Sequence, residues 1–297
     1  MNPSNKKKHY TKRITIGDVV IIAIMVILII LCILPVMNLV ANAFSSPTAI
    51  MRREVTFFPV DFNTQAFADV LGDERIMRSL VWTGILTIIV VAINLFMTTI
   101  CAYPLTYDSL KGRKIISFLI VFTMLFGAGL VPMFVLFRDL NLLNNPLVLI
   151  LPGSLGVFNM ILMRNFFLGI PDSLKESAEI DGAGPMTILW RIYIPLSLPS
   201  FATIGLFVAV GRWNAFEDAL FFMHQASEWH PTQLLLFNII QNNTAVDVAD
   251  PGGQAQIGMG PVLQAAATVV TTLPILLVYP FIQKYFVKGA TLGAVKG

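Results

Sequence analysis

Apolar residues along this chain gather into six stretches of 18 or more positions with no charged residue, at 19–51, 79–107, 115–137, 140–163, 192–211 and 251–283. A helix rises about 1.5 Å per residue, so roughly 20 apolar residues cross the ~30 Å hydrocarbon core of a bilayer. The pattern predicts six membrane-spanning helices, at 19–40, 80–103, 115–137, 146–163, 195–216 and 261–282. A seventh charge-free stretch, 229–246, is apolar only over 234–240 and includes Asn238 even there, which is too short to span. Six crossings place both termini on one side.

These spans are rich in helix disruptors: Pro35, Pro104, Pro132, Pro152, Pro199 and Pro274, with Gly127, Gly129, Gly153 and Gly156. An interior proline removes a backbone hydrogen bond and can kink its helix. In hydrocarbon such kinks persist only where protein or a water-filled cavity meets the freed carbonyls, so a translocation path is expected rather than a static anchor. Asn94, Thr98, Thr99, Asn159, Thr268, Thr271 and Thr272 suit the lining of that path, and suit interhelical hydrogen bonding equally.

Composition and charge sharpen the picture. Hydrophobic residues make up 56% of the 297 positions and charged residues only 12%, about half the usual charged share, which excludes an ordinary soluble enzyme. Positive residues resist translocation and stay in cytoplasmic loops. With the N-terminus inside, the cytoplasmic side holds Lys6, Lys7, Lys8, Lys12, Arg13, Lys111, Arg113, Lys114, Arg164, Lys175, Arg191, Lys284, Lys288 and Lys296. The outside receives Arg52, Arg53, Arg75, Arg78 and Arg138, and Arg212 sits near the outer end of the fifth span. The net charge of +3 is thus a record of topology and makes no case for nucleic acid.

The expected organisation is a cytoplasmic tail at 1–18, a six-span domain at 19–286 and a second cytoplasmic tail at 287–297. A long inner loop occupies 164–195, and longer outer loops occupy 44–78 and 223–260. The end of the last outer loop, from Gln241 on, is polar and carries turn signals at Asp250-Pro251-Gly252-Gly253, so irregular chain is expected there. The first apolar segment, followed by Ala41-Asn42-Ala43, also fits a secretory signal peptide. Its length exceeds the ~7–15 residues of a signal h-region and favours an uncleaved anchor. Cys32 and Cys101 fall inside spans, and His9, His224 and His230 make no helical ligand pair, so neither a disulfide framework nor a metal site is indicated. No glycine cluster is followed by the Lys-Ser/Thr of a phosphate-cradling loop.

The inner loop is the informative segment. Ser173 with Glu176 three residues on forms a capping-box pattern and predicts a helix beginning near Leu174. Gly182 suits the left-handed residue that ends it, and Pro185 suits the first turn of a second helix. Along that second helix Met186, Leu189, Trp190 and Tyr193 form an apolar stripe. The result is two short helices meeting at a glycine corner, with Ser177, Ala178, Ala183 and Gly184 permitting close approach and Glu176, Glu179 and Asp181 offering charge. From composition alone, a hairpin lying on the inner membrane surface and a docking element for a partner protein stand equal.

The run Glu176-Ser177-Ala178-x-x-Asp181-Gly182-Ala183, eight residues, then Ile192-x-Ile194-Pro195 resembles the EAA loop of ABC importer permeases. That pattern runs E-A-A-x-x-D-G-A, eight residues, I-x-L-P; Ser177 and Ile194 depart from it conservatively. Leu130-Val131-Pro132, Asn141-Leu142-Leu143-Asn144, Leu151-Pro152 and Trp213-Asn214-Ala215-Phe216 look like the type I permeases of carbohydrate uptake systems, maltose-type in outline. The resemblance implies an all-α integral membrane fold of six transmembrane helices with cytoplasmic coupling helices. It implies a non-catalytic transport subunit whose loop inserts into a cytoplasmic ATPase, through Glu176, Ser177, Ala178, Asp181, Gly182 and Ala183, with Ile192 and Pro195 setting the junction to the fifth span. A loop carboxylate paired with a basic group of the ATPase is worth only ~1 kcal/mol when solvated, so shape and the glycine corner should matter more.

The implied partners are a second homologous permease subunit forming a heterodimer, two cytoplasmic ATPase subunits, an extracytoplasmic solute-binding protein, an oligosaccharide and membrane lipid. This chain would carry no cofactor, ATP and Mg being bound by the ATPase. By the same analogy, loop 223–260 would reach into the binding protein and dislodge the sugar. Arg212, Trp213, Asn214 and Glu217, with Asp218, suit sugar recognition at the outer end of the fifth span, since aromatic rings stack on sugar faces while polar groups meet hydroxyls. An interfacial aromatic belt with Arg212 neutralised by a nearby carboxylate accounts for the same residues. An importer for another solute and a secondary carrier are the competing functions; a carrier is weakened because no span holds a central Asp, Glu or His.

Overall fold

The computed structural model describes residues 15–246 and 260–294, and among these there is no strand. Helix α1 (Ile16–Ala43) begins where the Thr15 backbone N–H donates to the Asp18 carboxylate at 2.9 Å. Its apolar side chains are exposed on all faces, apart from its C-terminal end, where Ala41 and Ala43 are buried. A helix apolar all round has no stable place in water, so the medium it suits is hydrocarbon. Two short helices, α2 (Pro47–Met51) and α3 (Gln65–Gly72), occupy the segment that follows α1. Then comes α4 (Glu74–Ala102), whose first turn is capped by the Asp73 carboxylate accepting the Arg75 N–H at 2.8 Å.

The chain continues through α5 (Arg113–Leu125), α6 (Leu130–Asp139), α7 (Leu147–Ile150) and α8 (Val157–Leu168). It then forms α9 (Asp172–Ile180), α10 (Pro185–Ile188), a π-turn at Leu189–Tyr193 and α11 (Ile194–Leu196). The remaining helices are α12 (Leu198–Asn214), α13 (Glu217–Phe222), α14 (Thr232–Val246) and α15 (Gly260–Ala294). Helices α1, α4 and α15 are each long and apolar enough to cross a membrane, and three bent pairs bring the number to six if each pair is one span.

The pairs differ from the continuous spans that hydropathy predicts. Helices α5 and α6 meet at 111°, the α7 segment meets α8 at 41°, and the α10–α11 segment meets α12 at 78°. Prolines cause less of this than expected: Pro35 and Pro274 lie inside unbroken helices. Pro104, Pro132, Pro152 and Pro199 sit in first turns, where a missing N–H costs nothing. The sharpest break falls at Phe126–Gly129, where Gly129 adopts φ +83°. The predicted fifth span also begins too early, since Pro195 belongs to the short helix α11 ahead of the bend.

Helix α4 is the central post. It buries Ile76, Ser79, Thr83, Leu86, Val90, Asn94 and Thr98 as one stripe at helical spacing and packs along α12 and α8. At the α7–α8 break Asn94 Nδ2 donates to the freed Gly153 carbonyl at 2.8 Å. Asn94 Oδ1 in turn accepts from Asn159 Nδ2 and Thr98 Oγ1, both at 3.3 Å. Interhelical bonding is therefore what Asn94 and Asn159 do, whereas Thr99, Thr268, Thr271 and Thr272 donate to carbonyls of their own helices. Gly153 lies so close to α4 that a Cβ would stand 3.0 Å from Val90 Cγ1.

The described part of the 223–260 segment, residues 223–246, is more helical than its composition predicts. Residues 241–246, expected to be irregular, complete α14. Tertiary contact explains this: the Thr232 N–H donates to Thr83 Oγ1 at 2.8 Å, and Trp82 Nε1 donates to the Trp229 carbonyl at 2.8 Å, seating the start of α14 on α4. The turn signals at Asp250 to Gly253 lie outside the described residues, as do the basic tail at Lys6 to Arg13 and Lys296.

Replacing Asn94 by Leu leaves the Gly153 carbonyl unpaired in a part-buried site, which costs about 1 kcal/mol. The variant should melt at a lower temperature than wild type in detergent, measured by fluorescence-detected size exclusion, whereas Thr98→Val should shift the melting point less.

Candidate coupling site

The inner loop folds as a helix, a glycine corner and a second helix. Helix α9 starts two residues before the predicted position, with Pro171 at its N-cap and no side-chain cap. Ser173 and Glu176 therefore do not form the predicted capping box; Asp172 in the first turn supplies the favourable charge instead. Its C-terminus is a Schellman motif: the Gly182 N–H donates to the Glu179 carbonyl at 3.0 Å and the Ala183 N–H to the Ala178 carbonyl at 2.9 Å. That closure needs a left-handed residue, and Gly182 has φ +78°. Gly184 then caps α10, with Pro185 at its first position.

Beneath the corner lies an aromatic seat from the C-terminal end of α4. Tyr103 Oη donates to the Pro185 carbonyl at 2.9 Å, and the Tyr103 ring meets Tyr193 and Phe167 edge-on at 5.1 and 6.3 Å. Lys175 lies 3.9 Å from the Tyr107 ring centroid and 3.9 Å from the Glu179 carboxylate. Ala178 and Ala183 are half-buried against this core, which also contains Ile188, Leu189 and Tyr193. The predicted stripe on the second helix therefore divides: Leu189 and Tyr193 turn inward, while Met186 and Trp190 remain exposed. The π-turn accounts for the rotation, and its widened backbone precedes Pro195, which has no N–H to give.

The upper surface of the corner is free. Glu176, Ser177, Asp181 and Gly182 are exposed, and neither Glu176 nor Asp181 is in an ion pair among the described residues. Ile192 is half-buried and Pro195 exposed where the loop returns to α12. Sequence reasoning passed over Ile180, whose side chain is 87% exposed between the carboxylates. Ile180 is thus an exposed apolar side chain set among charge beside a glycine turn; the signal was its place in the motif, between Glu179 and Asp181.

The outer cluster divides in a different way. Arg212 has a side chain only 7% exposed, and it is paired with the Asp218 carboxylate. Its Nη1 also donates to the Leu149 carbonyl at 3.1 Å and its Nη2 to the Ala215 carbonyl at 3.3 Å. Trp213 Nε1 donates to the Thr271 carbonyl at 3.2 Å and ties α12 to α15. These polar atoms serve the protein, as in the aromatic-belt reading. Asn214, bonded to the Val210 carbonyl at 2.9 Å, and Glu217 are the members of the cluster that stay exposed.

A helical, multi-pass chain with broken spans and a motif-bearing corner projecting from one end is a membrane transport subunit. The chain belongs to the family of binding-protein-dependent transport system inner membrane components, which it matches over residues 75–291. It is 37% identical over 285 residues to the polygalacturonan/rhamnogalacturonan transport system permease protein YtcP of Bacillus subtilis (strain 168), covering 94% of this chain and 98% of that one. Protein LplC of the same strain is 37% identical over 293 residues, covering 97% and 98%. In three dimensions the chain resembles a chain from the crystal structure of a bacterial ABC transporter involved in the import of the acidic polysaccharide alginate, with a TM-score of 0.82, 35% identity and coverage of 91% and 96%. It is thus the permease subunit of an ABC importer, an inner membrane component that works with a solute-binding protein and an ATPase.

Removing one partner of a fully buried ion pair costs about 3–5 kcal/mol, and less where one partner is part-exposed, as Asp218 is here. Arg212→Met and Asp218→Asn should each lower the melting temperature and the yield of monodisperse protein, whereas Glu217→Gln should melt like wild type. An Arg212→Met protein with wild-type stability would contradict the structural role.

Proposed function

We propose that this chain is one half of a heterodimeric permease that carries oligosaccharides inward, with both termini in the cytoplasm and the 172–188 corner docked in a cleft of the ATPase. The observation that carries the coupling role is the corner itself. Glu176, Ser177, Asp181 and Gly182 stand exposed around an exposed Ile180, while Ala178 and Ala183 fix the corner to the protein below. A push on α9 reaches α4 through Tyr103 and reaches α12 through Ile192 and Pro195. ATP and Mg belong to the ATPase in this reading, and the present chain supplies the lever.

The substrate class is supported by two of the matches, a permease protein of a polygalacturonan/rhamnogalacturonan transport system and a transporter involved in the import of alginate. All of these are acidic sugar polymers, so uronate-containing oligosaccharides are the first substrates to try. At the outer end of α12, Asn214 and Glu217 are the proposed sugar-facing residues, with Trp213 and Arg212 holding the helix that presents them.

Gly182→Asp tests the coupling role. A Cβ at this position meets nothing within 4 Å, so insertion and folding should survive. The left-handed backbone is strained for any other residue and the new carboxylate joins an acidic surface, so uptake of a labelled oligosaccharide should fall to background. Ile180→Asp should likewise abolish uptake with normal membrane abundance. Wild-type uptake by either variant would overturn the assignment.

A further inference from the structure

Helix α5 and Arg164 of α8 border a shallow, open groove of about 450 Å³ near the end of the protein that carries the corner, lined by Arg113, Lys114, Ser117, Phe118, Val121 and Arg164. Three of these six residues are cationic. The carboxylate that meets them is Asp108, which pairs with Arg113 at 2.5 Å. Arg164 is anchored from behind, its Nε donating to the Leu105 carbonyl at 3.0 Å. Neither Lys114 nor Arg164 is in an ion pair among the described residues, so the groove holds two uncompensated charges.

The rest of the lining is apolar, and so are its surroundings. Helix α5 buries no residue, and Ile115, Phe118, Leu119 and Leu125 are all exposed on it. Such a helix suits hydrocarbon on its outer faces. The groove therefore lies where a basic rim meets an apolar wall, the pairing of charge and hydrocarbon that a lipid headgroup and its acyl chain require. A soluble anion would use the rim and leave Phe118 and Val121 without a purpose. A phospholipid with a negatively charged headgroup uses both.

We propose that this groove binds an anionic phospholipid of the inner leaflet, its phosphate held by Lys114 and Arg164 with Ser117 as a hydroxyl donor, and an acyl chain lying along Phe118 and Val121. Arg113, neutralised by Asp108, contributes little charge and serves to shape the rim. The leaflet assignment rests on the orientation proposed above. Because the groove joins the start of α5 to the end of α8, a bound lipid would brace the base of the loop that leads into α9.

The test places the assembled transporter in nanodiscs of equal phosphatidylglycerol and phosphatidylcholine, extracts it gently and counts retained lipids by native mass spectrometry. Wild type should retain phosphatidylglycerol in preference to phosphatidylcholine. Lys114→Gln and Arg164→Gln should each weaken that retention about fivefold, on the strength of one interfacial cation. Lys111→Gln, an exposed cation outside the lining, should leave it unchanged. Equal retention of the two lipids by wild type overturns the proposal without reference to any variant, as does full retention by the double variant. Displacement of the lipid by excess inorganic phosphate would assign the groove to a soluble anion and overturn it too. No transport is read, so failure here leaves the coupling role standing.

Discussion

The constraint on which this structure depends is that a backbone carbonyl freed inside hydrocarbon must find a donor from the protein itself. Asn94 answers it at the break between α7 and α8, where its amide closes on Gly153 and is itself fixed by Asn159 and Thr98. One polar side chain thereby holds three helices, α4, α8 and the α7 segment. A straight helix would need no such contact and would do no more than anchor the chain. Broken helices cost hydrogen bonds and in return create segments that can present backbone, turn corners and transmit movement.

The same rule holds at the end of the bundle that carries the corner. The glycine corner satisfies its last carbonyls through the Schellman bonds of Gly182 and Ala183, and Tyr103 closes the Pro185 carbonyl from α4. The loop is therefore bonded to the bundle along one side and bare along the other, with Glu176, Ile180 and Asp181 outward. That asymmetry is what a lever requires. At the C-terminal end of α12 Arg212 and Asp218 perform the corresponding task, joining α12 to the α7 and α13 segments by a part-buried ion pair and a bond to the Leu149 carbonyl.

Much of this was legible in the residues. Charge-free gaps located every apolar segment, and the Gly182–Pro185 spacing foretold the corner, because both signals are local and depend on hydropathy or φ alone. The breaks were less visible. Hydropathy is blind to a bend of 111° between α5 and α6, and prolines drew the eye although four of the six fall harmlessly in first turns. Helix α14 was missed because its anchor, Thr232 on Thr83, joins residues far apart in sequence. The residues offered Arg212 both to a sugar and to a nearby carboxylate; the pairing with Asp218 was therefore legible, whereas the bond to the Leu149 carbonyl, set by tertiary packing, was not. Ile180 was passed over because an apolar residue on an amphipathic helix is ordinarily read as facing inward.

The central claim is that the exposed side of the corner meets the ATPase. Its most direct test is cross-linking from Ile180→Cys, in a background with Cys32 and Cys101 replaced by Ser, within the assembled transporter embedded in lipid. The account predicts a covalent adduct between this chain and the ATPase subunit, with a yield that changes between nucleotide-free and ATP-bound states. A transport-competent complex that gives no such adduct in either state, while the same cysteine reacts freely with a soluble thiol reagent, would contradict it.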